Sequence, residues 1–366
     1  MPTLSSIARP SAAKRSPADD IRDIDELFSR AGLVRSLRGK ASARFRAERM
    51  DRAAPEELVR TAPAPHIAKN GVSWLPVSAW DFSWLWSGFS TRLGGQSRAY
   101  CADDAPGELN LGFTAADDRE TVTANRRLLV EAVTGDAATP LITLRQFHSS
   151  LVVRVAAEDA LRERPWKADG MITDEPGLLV AVQTADCIPV LVADRKRKAV
   201  GAFHAGWRGT VKRIVETGIG RMRFEFGSRP EDLVAAIGPG IGQCCYAVGE
   251  EVLSEFESQF SYGRELFREV YDSDAVRTKY PMLFLTQRAP GHSPIGPSLH
   301  VDLIEANRLQ LMAAGVSEKR IQIVGGCTQC QPELFYSHRG SRGHAGRMMA
   351  VIGVHGAQKN RPASER

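Results

Sequence analysis

Residues 168–210 read ADGMITDEPGLLVAVQTADCIPVLVADRKRKAVGAFHAGWRGT, a run in which reactive side chains alternate with apolar segments. A first apolar strand spans Gly177 to Val182. It is short and abuts the turn signal Pro176–Gly177, which favours a buried strand over a helix. TADC follows, a carboxylate (Asp186) beside a thiol (Cys187), and such a polar pair is expensive to bury without a purpose. IPVLVA then returns the chain to a core, the charged turn DRKRK reverses it, and AVGAFHAGWRG runs through another apolar strand into His204. His204 thus stands where a strand ends, a place from which rigid scaffolds present reactive groups, and Cys187 and His204 become candidate companions across adjacent strands.

Upstream, LITLRQFHSSLVVRV reads as strand, loop and strand, with His148 in the loop. STRLGGQS sets Arg92 before two glycines, which allow close backbone approach while the guanidinium offers a forked donor set suited to an anion. LNLGFTAADDRETVTANRRLLVEAV passes from a turn at Asn110 into a helix with Asp117 or Asp118 at its N-cap. Downstream, VKRIVETGIGRMRFEF reads as an amphipathic helix, and LVAAIGPGIGQCCYAVGEEVL as a strand, a Gly/Pro loop and a helix starting near Gly249 or Glu250. The loop's GxGxxG-like spacing is not a dinucleotide fingerprint, since proline and paired cysteines interrupt it and no matching βαβ unit follows. Cys244 and Cys245 are adjacent and are expected as small buried residues rather than joint ligands of one metal. LHVDLIEANRLQLMAAGV reads as a helix, and the last segment as strands around an Arg/His/Gly-rich loop. Cys327 and Cys330 form a metal-type pair, but a structural zinc needs two further ligands, and only His338 and His344 lie near in sequence.

The chain has 366 residues, 43% of them hydrophobic, enough for one large domain or two. No run approaches the roughly 18 apolar residues of a membrane span, and MPTLSSIARP lacks the apolar core of a secretory signal. Six cysteines in so long a chain do not make a disulfide framework, so the thiols are expected reduced and the protein cytoplasmic. Residues 1–70 hold 14 Lys and Arg against 9 Asp and Glu, so the whole net charge of +5 lies there. The expected organisation is a basic accessory extension over 1–70, a catalytic domain over 71–356 and a polar tail over 357–366, with TAPAPHIAKNG as the linker.

From about Ser90 to Gly353 the chain closely resembles the YfiH-like family, long labelled laccase-like polyphenol oxidoreductase. QFHSSLV, TADCIPVLVAD, HAGWRGT and IGPGIGQCCYAVGEEV carry the likeness, in the family's order. The resemblance implies an α/β (α+β) fold with mixed β-sheets packed face to face and helices on the outside. It also implies that His148, Cys187 and His204 are metal ligands for one zinc ion per chain. One thiolate and two imidazoles leave a fourth tetrahedral position open, as catalytic zinc requires. The implied activity is phosphorolysis of adenosine, inosine, guanosine or methylthioadenosine with phosphate as co-substrate, and adenosine deamination as a second activity. Expected partners are therefore purine nucleosides and phosphate, not nucleic acid. Asp186 and Cys187 are the expected catalytic residues, and Arg92, Asn110 and Arg347 the expected substrate-binding ones. The chain departs from the family pattern at HRGSRGHAGRMM, where a tandem arginine before an acidic residue is usual; Arg339, Arg342 and Arg347 are the available substitutes.

Four other readings are weighed against it. Two imidazoles and a thiolate also suit blue copper, but the eight histidines of the chain are too few for a four-copper oxidase. A metal-free hydrolase could use Cys187 as nucleophile and His204 as base, as in the editing of peptidoglycan precursors. A non-catalytic binding protein could act through the basic extension. A cytidine-type deaminase is unsupported, because the HxE and PCxxC signatures are absent.

Overall fold

The computed structural model describes residues 63–101, 105–270 and 298–356, so the expectations for most of the 1–70 extension and for the 357–366 tail lie outside the described residues. In chain order the first elements are β1 (His66–Ile67), β2 (Ser73–Pro76), β3 (Leu85–Ser90), β4 (Leu93–Ser97) and α1 (Arg119–Thr134). Next come β5 (Leu141–Thr143), β6 (Val152–Arg154), β7 (Gly170–Thr173), β8 (Leu178–Thr184), β9 (Ile188–Asp194) and β10 (Val200–Ala205). Then follow α2 (Trp207–Val211), α3 (Ile214–Phe226), β11 (Leu233–Ile237), β12 (Ala247–Val248), α4 (Glu250–Gln259) and β13 (Phe267–Val270). The last are β14 (Ser298–Val301), α5 (Leu303–Ala313), β15 (Ile321–Ile323) and β16 (Met348–Val354).

Two mixed six-stranded sheets form, in the orders β1-β2-β3-β16-β8-β5 and β15-β11-β9-β10-β7-β6, beside a three-stranded sheet β12-β14-β13. Within the large sheets β5–β8, β6–β7 and β11–β15 are parallel and the other pairs antiparallel. Side chains alternate between faces along a strand, and the core follows that alternation. Val180 and Val182 of β8, Leu191 and Ala193 of β9, Val200 and Ala202 of β10, and Ala350 and Ile352 of β16 fill the space between the two sheets. Leu179, Ala181 and Val351 face outward against Leu129 and Val130 of α1. Val190, Val192 and Phe203 face outward on the other sheet, against Ile214, Ile219 and Met222 of α3 and Leu311 of α5. With both faces covered, β9 and β10 are buried along their whole length, which is why they read as continuous apolar runs. The expected arrangement of mixed sheets face to face with helices outside is the observed one.

Boundaries differ from expectation in three places. VKRIVETGIGRMRFEF is not one helix: Arg213 takes φ 60°, the left-handed region, and divides α2 from α3. LHVDLIEANRLQLMAAGV begins as strand β14, paired with β12 and β13, and the helix starts only after Asp302, whose side chain accepts from the Glu305 N–H as N-cap. His66–Ile67, within the expected linker, pairs with Ser73–Trp74 at the sheet edge, so the folded body reaches back past Gly71.

The fold also decides where the reactive residues meet. β8 belongs to one large sheet and β9 to the other, so TADC is the crossing between them. β9 and β10 are antiparallel neighbours with His204 opposite Pro189 and Ala205 opposite Ile188, which sets the end of β10 beside the residue that follows Cys187. His204 shares the parity of Val200 and Ala202, so its side chain lies on the inter-sheet side.

Candidate metal centre and active site

Asp169 is the foundation of the site. It is fully buried at the start of β7, and its carboxylate accepts from the backbone N–H groups of Phe147, His148 and Ser149 and from the Ser149 hydroxyl. The Nδ1 of His204 lies 2.9 Å from Asp169 Oδ1. Burial would raise this carboxyl, but His204 and the Ser149 donors outweigh it and hold Asp169 well below the usual carboxylate range. One buried carboxylate thus fixes both the loop that carries His148 and the orientation of His204, leaving His204 Nε2 for another partner. Gln146 braces the same loop, its side-chain amide donating to Gln183 O at 2.8 Å and accepting from Gln183 N at 2.7 Å.

His148, Cys187 and His204 are brought together as expected. Their ligand atoms all lie within 4.8 Å of one another, with Cys187 Sγ 3.7 Å from His148 Nε2 and the two imidazole centroids 5.0 Å apart. His204 is buried, Cys187 partly so and His148 exposed, so the group opens to solvent on one side. His148 and Asp186 both take positive φ, 63° and 88°, strained for residues with a Cβ and held by the bonds described here. Gly206 closes the back: a Cβ there would stand 2.8 Å from Cys187 Sγ and 2.9 Å from His148 Cδ2. Burial alone would push the Cys187 thiol up, but the His204 charge and the His148 and His204 hydrogen bonds bring it down to about 6. Burial would likewise lower His204, but the Cys187 charge and Asp169 raise it to about 9. The two therefore form a thiolate–imidazolium pair, which a divalent cation can replace with its own charge. The donor set of one soft sulfur and two borderline nitrogens fits such an ion.

Asp186 is nearly buried and faces away from open solvent. Oδ1 accepts from the Thr328 hydroxyl and Oδ2 from Arg339 N–H, both at 2.6 Å, and its own carbonyl accepts from Ile241 N–H at 2.8 Å. It joins the Cys187 crossing to two other loops. Arg339 is exposed, donates through Nη1 to Ala247 O at 2.8 Å, and lies 5.3 Å from the Tyr246 ring centroid. Burial, then the Cys187 charge, pushes the Tyr246 phenol well above its usual range.

The expected substrate-binding residues, Arg92, Asn110 and Arg347, are each engaged by other parts of the chain. Arg92 is engaged by Glu108 at 2.6 Å, Pro332 O at 2.6 Å and Tyr100 O at 3.4 Å, and stacks over Tyr336. Asn110 is fully buried, donating to Gly112 O and Asp117 and accepting from Gly112 N and Arg347 N. Arg347 turns its Nη1 back onto Ala345 O and Gly346 O. These three tie the β4 side of the molecule to the loop before β16. Asp169 was missed in the sequence; its signal is the ADG that opens the stretch, an acid at the mouth of an apolar strand.

The expectation for the paired cysteines is corrected. Cys244 is exposed and Cys245 partly so, and both sulfurs lie beside Cys330, at 3.5 and 3.4 Å. Cys244 and Cys245 thus bring to Cys327 and Cys330 the second pair of sulfurs that was not legible near them in sequence.

Residues 86–355 match the family model described as multi-copper polyphenol oxidoreductase laccase. The purine nucleoside phosphorylase YlmD of Geobacillus stearothermophilus is 35% identical over 297 residues, which cover 76% of this chain and 94% of that protein. A purine nucleoside phosphorylase of Deinococcus radiodurans is 37% identical over 266 residues, 73% of this chain and 88% of that one. Among solved structures, the Bacillus licheniformis hypothetical protein YfiH superposes with a TM-score of 0.65 at 28% identity, over 79% of this chain and 98% of that one.

Proposed function

Because the chain belongs to the multi-copper polyphenol oxidoreductase laccase family, and relatives at 35% and 37% identity are named purine nucleoside phosphorylases, we propose that it is a zinc-dependent purine nucleoside phosphorylase. Adenosine, inosine, guanosine and methylthioadenosine are the proposed substrates with phosphate, and adenosine deamination is a second activity of the same site. The observation that carries this reading is the three-donor group with one open side, His148–Cys187–His204. Six free thiols suit a reducing, cytoplasmic setting.

Phosphorolysis breaks the bond between sugar C1′ and the purine nitrogen, forms a C1′–oxygen bond to phosphate, and returns the bonding electron pair to a base that takes up a proton. His148, Cys187 and His204 would hold zinc, which when bound would supply Lewis acidity toward the atom that gathers charge. Asp169 keeps His204 Nδ1–H directed at itself, so that Nε2 would meet a bound metal in a fixed orientation. Asp186 positions the 338–347 loop through the Arg339 N–H. Arg339 is the proposed anion holder, exposed and one hydrogen bond from the residue beside Cys187. Asn110, through Arg347 N, serves substrate binding by fixing that loop, and Arg92, through Pro332 O, by fixing the segment that leads into it.

A second reading rests on the thiolate–imidazolium pair: without metal, Cys187 is an activated nucleophile with His204 beside it, as a peptidoglycan-editing hydrolase would need. Copper in place of zinc would suit the family's name, but a four-copper cluster does not fit eight histidines. The test is release of free base from a nucleoside panel by the full chain of measured zinc content, with and without phosphate, and ammonia release from adenosine. Phosphate-dependent release that tracks zinc occupancy is expected; zinc-loaded protein that releases no base from any purine nucleoside would sink the proposal.

A further inference from the structure

β11 and β15 are parallel neighbours, with Ile237 opposite Ile323, so the loops leaving their C-terminal ends emerge side by side. The parallel pairing continues into the loops as a bridge between Gly240 and Cys327, and Thr328 N–H donates to Gly240 O at 3.0 Å. One loop then turns at Gly242, whose carbonyl accepts from the N–H groups of Cys245 and Tyr246, both at 3.0 Å. The other turns over Cys327–Gln331, with Gln331 N–H on Cys327 O at 3.2 Å. These turns point four sulfurs at one spot.

From this geometry we infer that Cys244, Cys245, Cys327 and Cys330 form a second metal site, closed and structural, that takes one zinc ion in an all-sulfur tetrahedron. Zinc binds thiolate at about 2.3 Å, which puts the edges of such a tetrahedron at about 3.8 Å. The four sulfurs all lie within 4.8 Å of one another, with pairs at 3.4 and 3.5 Å, so an ion fits with small adjustments of side-chain rotamers. The Gly242 N–H donates to Cys327 Sγ at 3.2 Å, the kind of bond that settles charge on a ligating thiolate. Gly242 also keeps the space clear, since a Cβ would lie 3.1 Å from Cys244 Sγ and 3.2 Å from Cys327 Cβ. An all-thiolate set selects zinc or iron among the common metals. A four-ligand shell leaves no open position, so the site's work is to join two loops. Thr328, next to Cys327, donates to Asp186; Tyr246, next to Cys245, lies under Arg339. The clamp therefore steadies both loops that approach the Cys187 crossing.

The inference is independent of the reaction proposed above, and zinc counting on full-length protein purified under reducing conditions tests it. Two zinc ions per chain are expected in the unaltered protein, and one each in Cys187→Ser/His204→Ala and in Cys327→Ser/Cys330→Ser. X-ray absorption at the zinc edge of Cys187→Ser/His204→Ala protein needs no change in the four-cysteine group, and should show four sulfurs at about 2.3 Å. A nitrogen or oxygen shell in that spectrum, loss of all zinc from that variant, iron at the expected stoichiometry, or a disulfide mapped among the four cysteines would each overturn it.

Discussion

The described residues hold two groups of metal-type donors, and they are built in opposite ways. His148, Cys187 and His204 come from three separate segments, mix nitrogen with sulfur, and are held from behind by a fully buried carboxylate. The four cysteines come from two neighbouring loops, are all sulfur, and are met by backbone N–H groups, among them that of Gly242 on Cys327 Sγ, rather than by a carboxylate. A three-donor group with an open side is a place for substrate, and a four-donor group without one is a fastening. The difference lies less in the ligands than in what supports them: orientation by a carboxylate in one case, proximity of two parallel strand ends in the other.

The comparison breaks most sharply at Cys187. Cys187→Ser should cut phosphorolysis by at least about 10³-fold, equivalent to roughly 4 kcal/mol of transition-state stabilisation, while the zinc of the cysteine group stays. Rate and metal content measured on one preparation check this, and near-normal turnover would reverse the assignment of the two groups. Asp169→Asn comes next: it keeps the shape but removes the charge facing His204, and metal affinity of the open group should fall about 10- to 100-fold. Competition against a chelator reads that number; an unchanged affinity would reduce Asp169 to a loop fastener.

A third expectation concerns protonation. In metal-free protein the Cys187 thiol, lowered to about 6 from an ordinary value of 9.0, stays thiolate as pH falls through neutrality and loses reactivity only below about 6. Alkylation rate against pH, with Cys187 followed by peptide mass, should therefore show a midpoint near 6 that moves upward in His204→Ala. The smallest effect on catalysis belongs to the closed group. Cys330→Ser should lose one zinc and several degrees of thermal midpoint, yet keep turnover within about tenfold, because its contact with the reaction runs only through Thr328 and Tyr246. A loss as deep as that of Cys187→Ser would make the clamp part of the chemistry.

Much of this was legible in the sequence where local pattern and tertiary position coincide. IPVLVA and AVGAFH read as strands because both of their faces are covered, and the short turn between them forces the antiparallel register that sets His204 beside the residue after Cys187. His148 was reachable only by resemblance, since its partners are a left-handed backbone and Asp169, neither visible in a loop's composition. The partners of Arg92 were not legible, because Glu108 follows 16 residues later and Pro332 O arrives from far down the chain. The cysteine pairs are 85 or so residues apart and meet only because β11 and β15 run parallel, a pairing without any local signature.

The place of β16 has a consequence for the order in which the protein can be made. β3 and β8 have no contact through the sheet except by way of this strand, which pairs Phe89 with Ala350 on one edge and Val182 with Ala350 on the other. A ribosome that has finished the β9–β10 hairpin, with His148, Cys187 and His204 all made, has still to synthesise the strand that joins the two halves of the first sheet. Until residue 354 is added, β3 and β8 each present an unpaired apolar edge, the kind of surface that invites pairing with another chain. The nascent chain thus carries all three of its donors early and its sheet closure last, and its exposure to misassembly is longest between those two events.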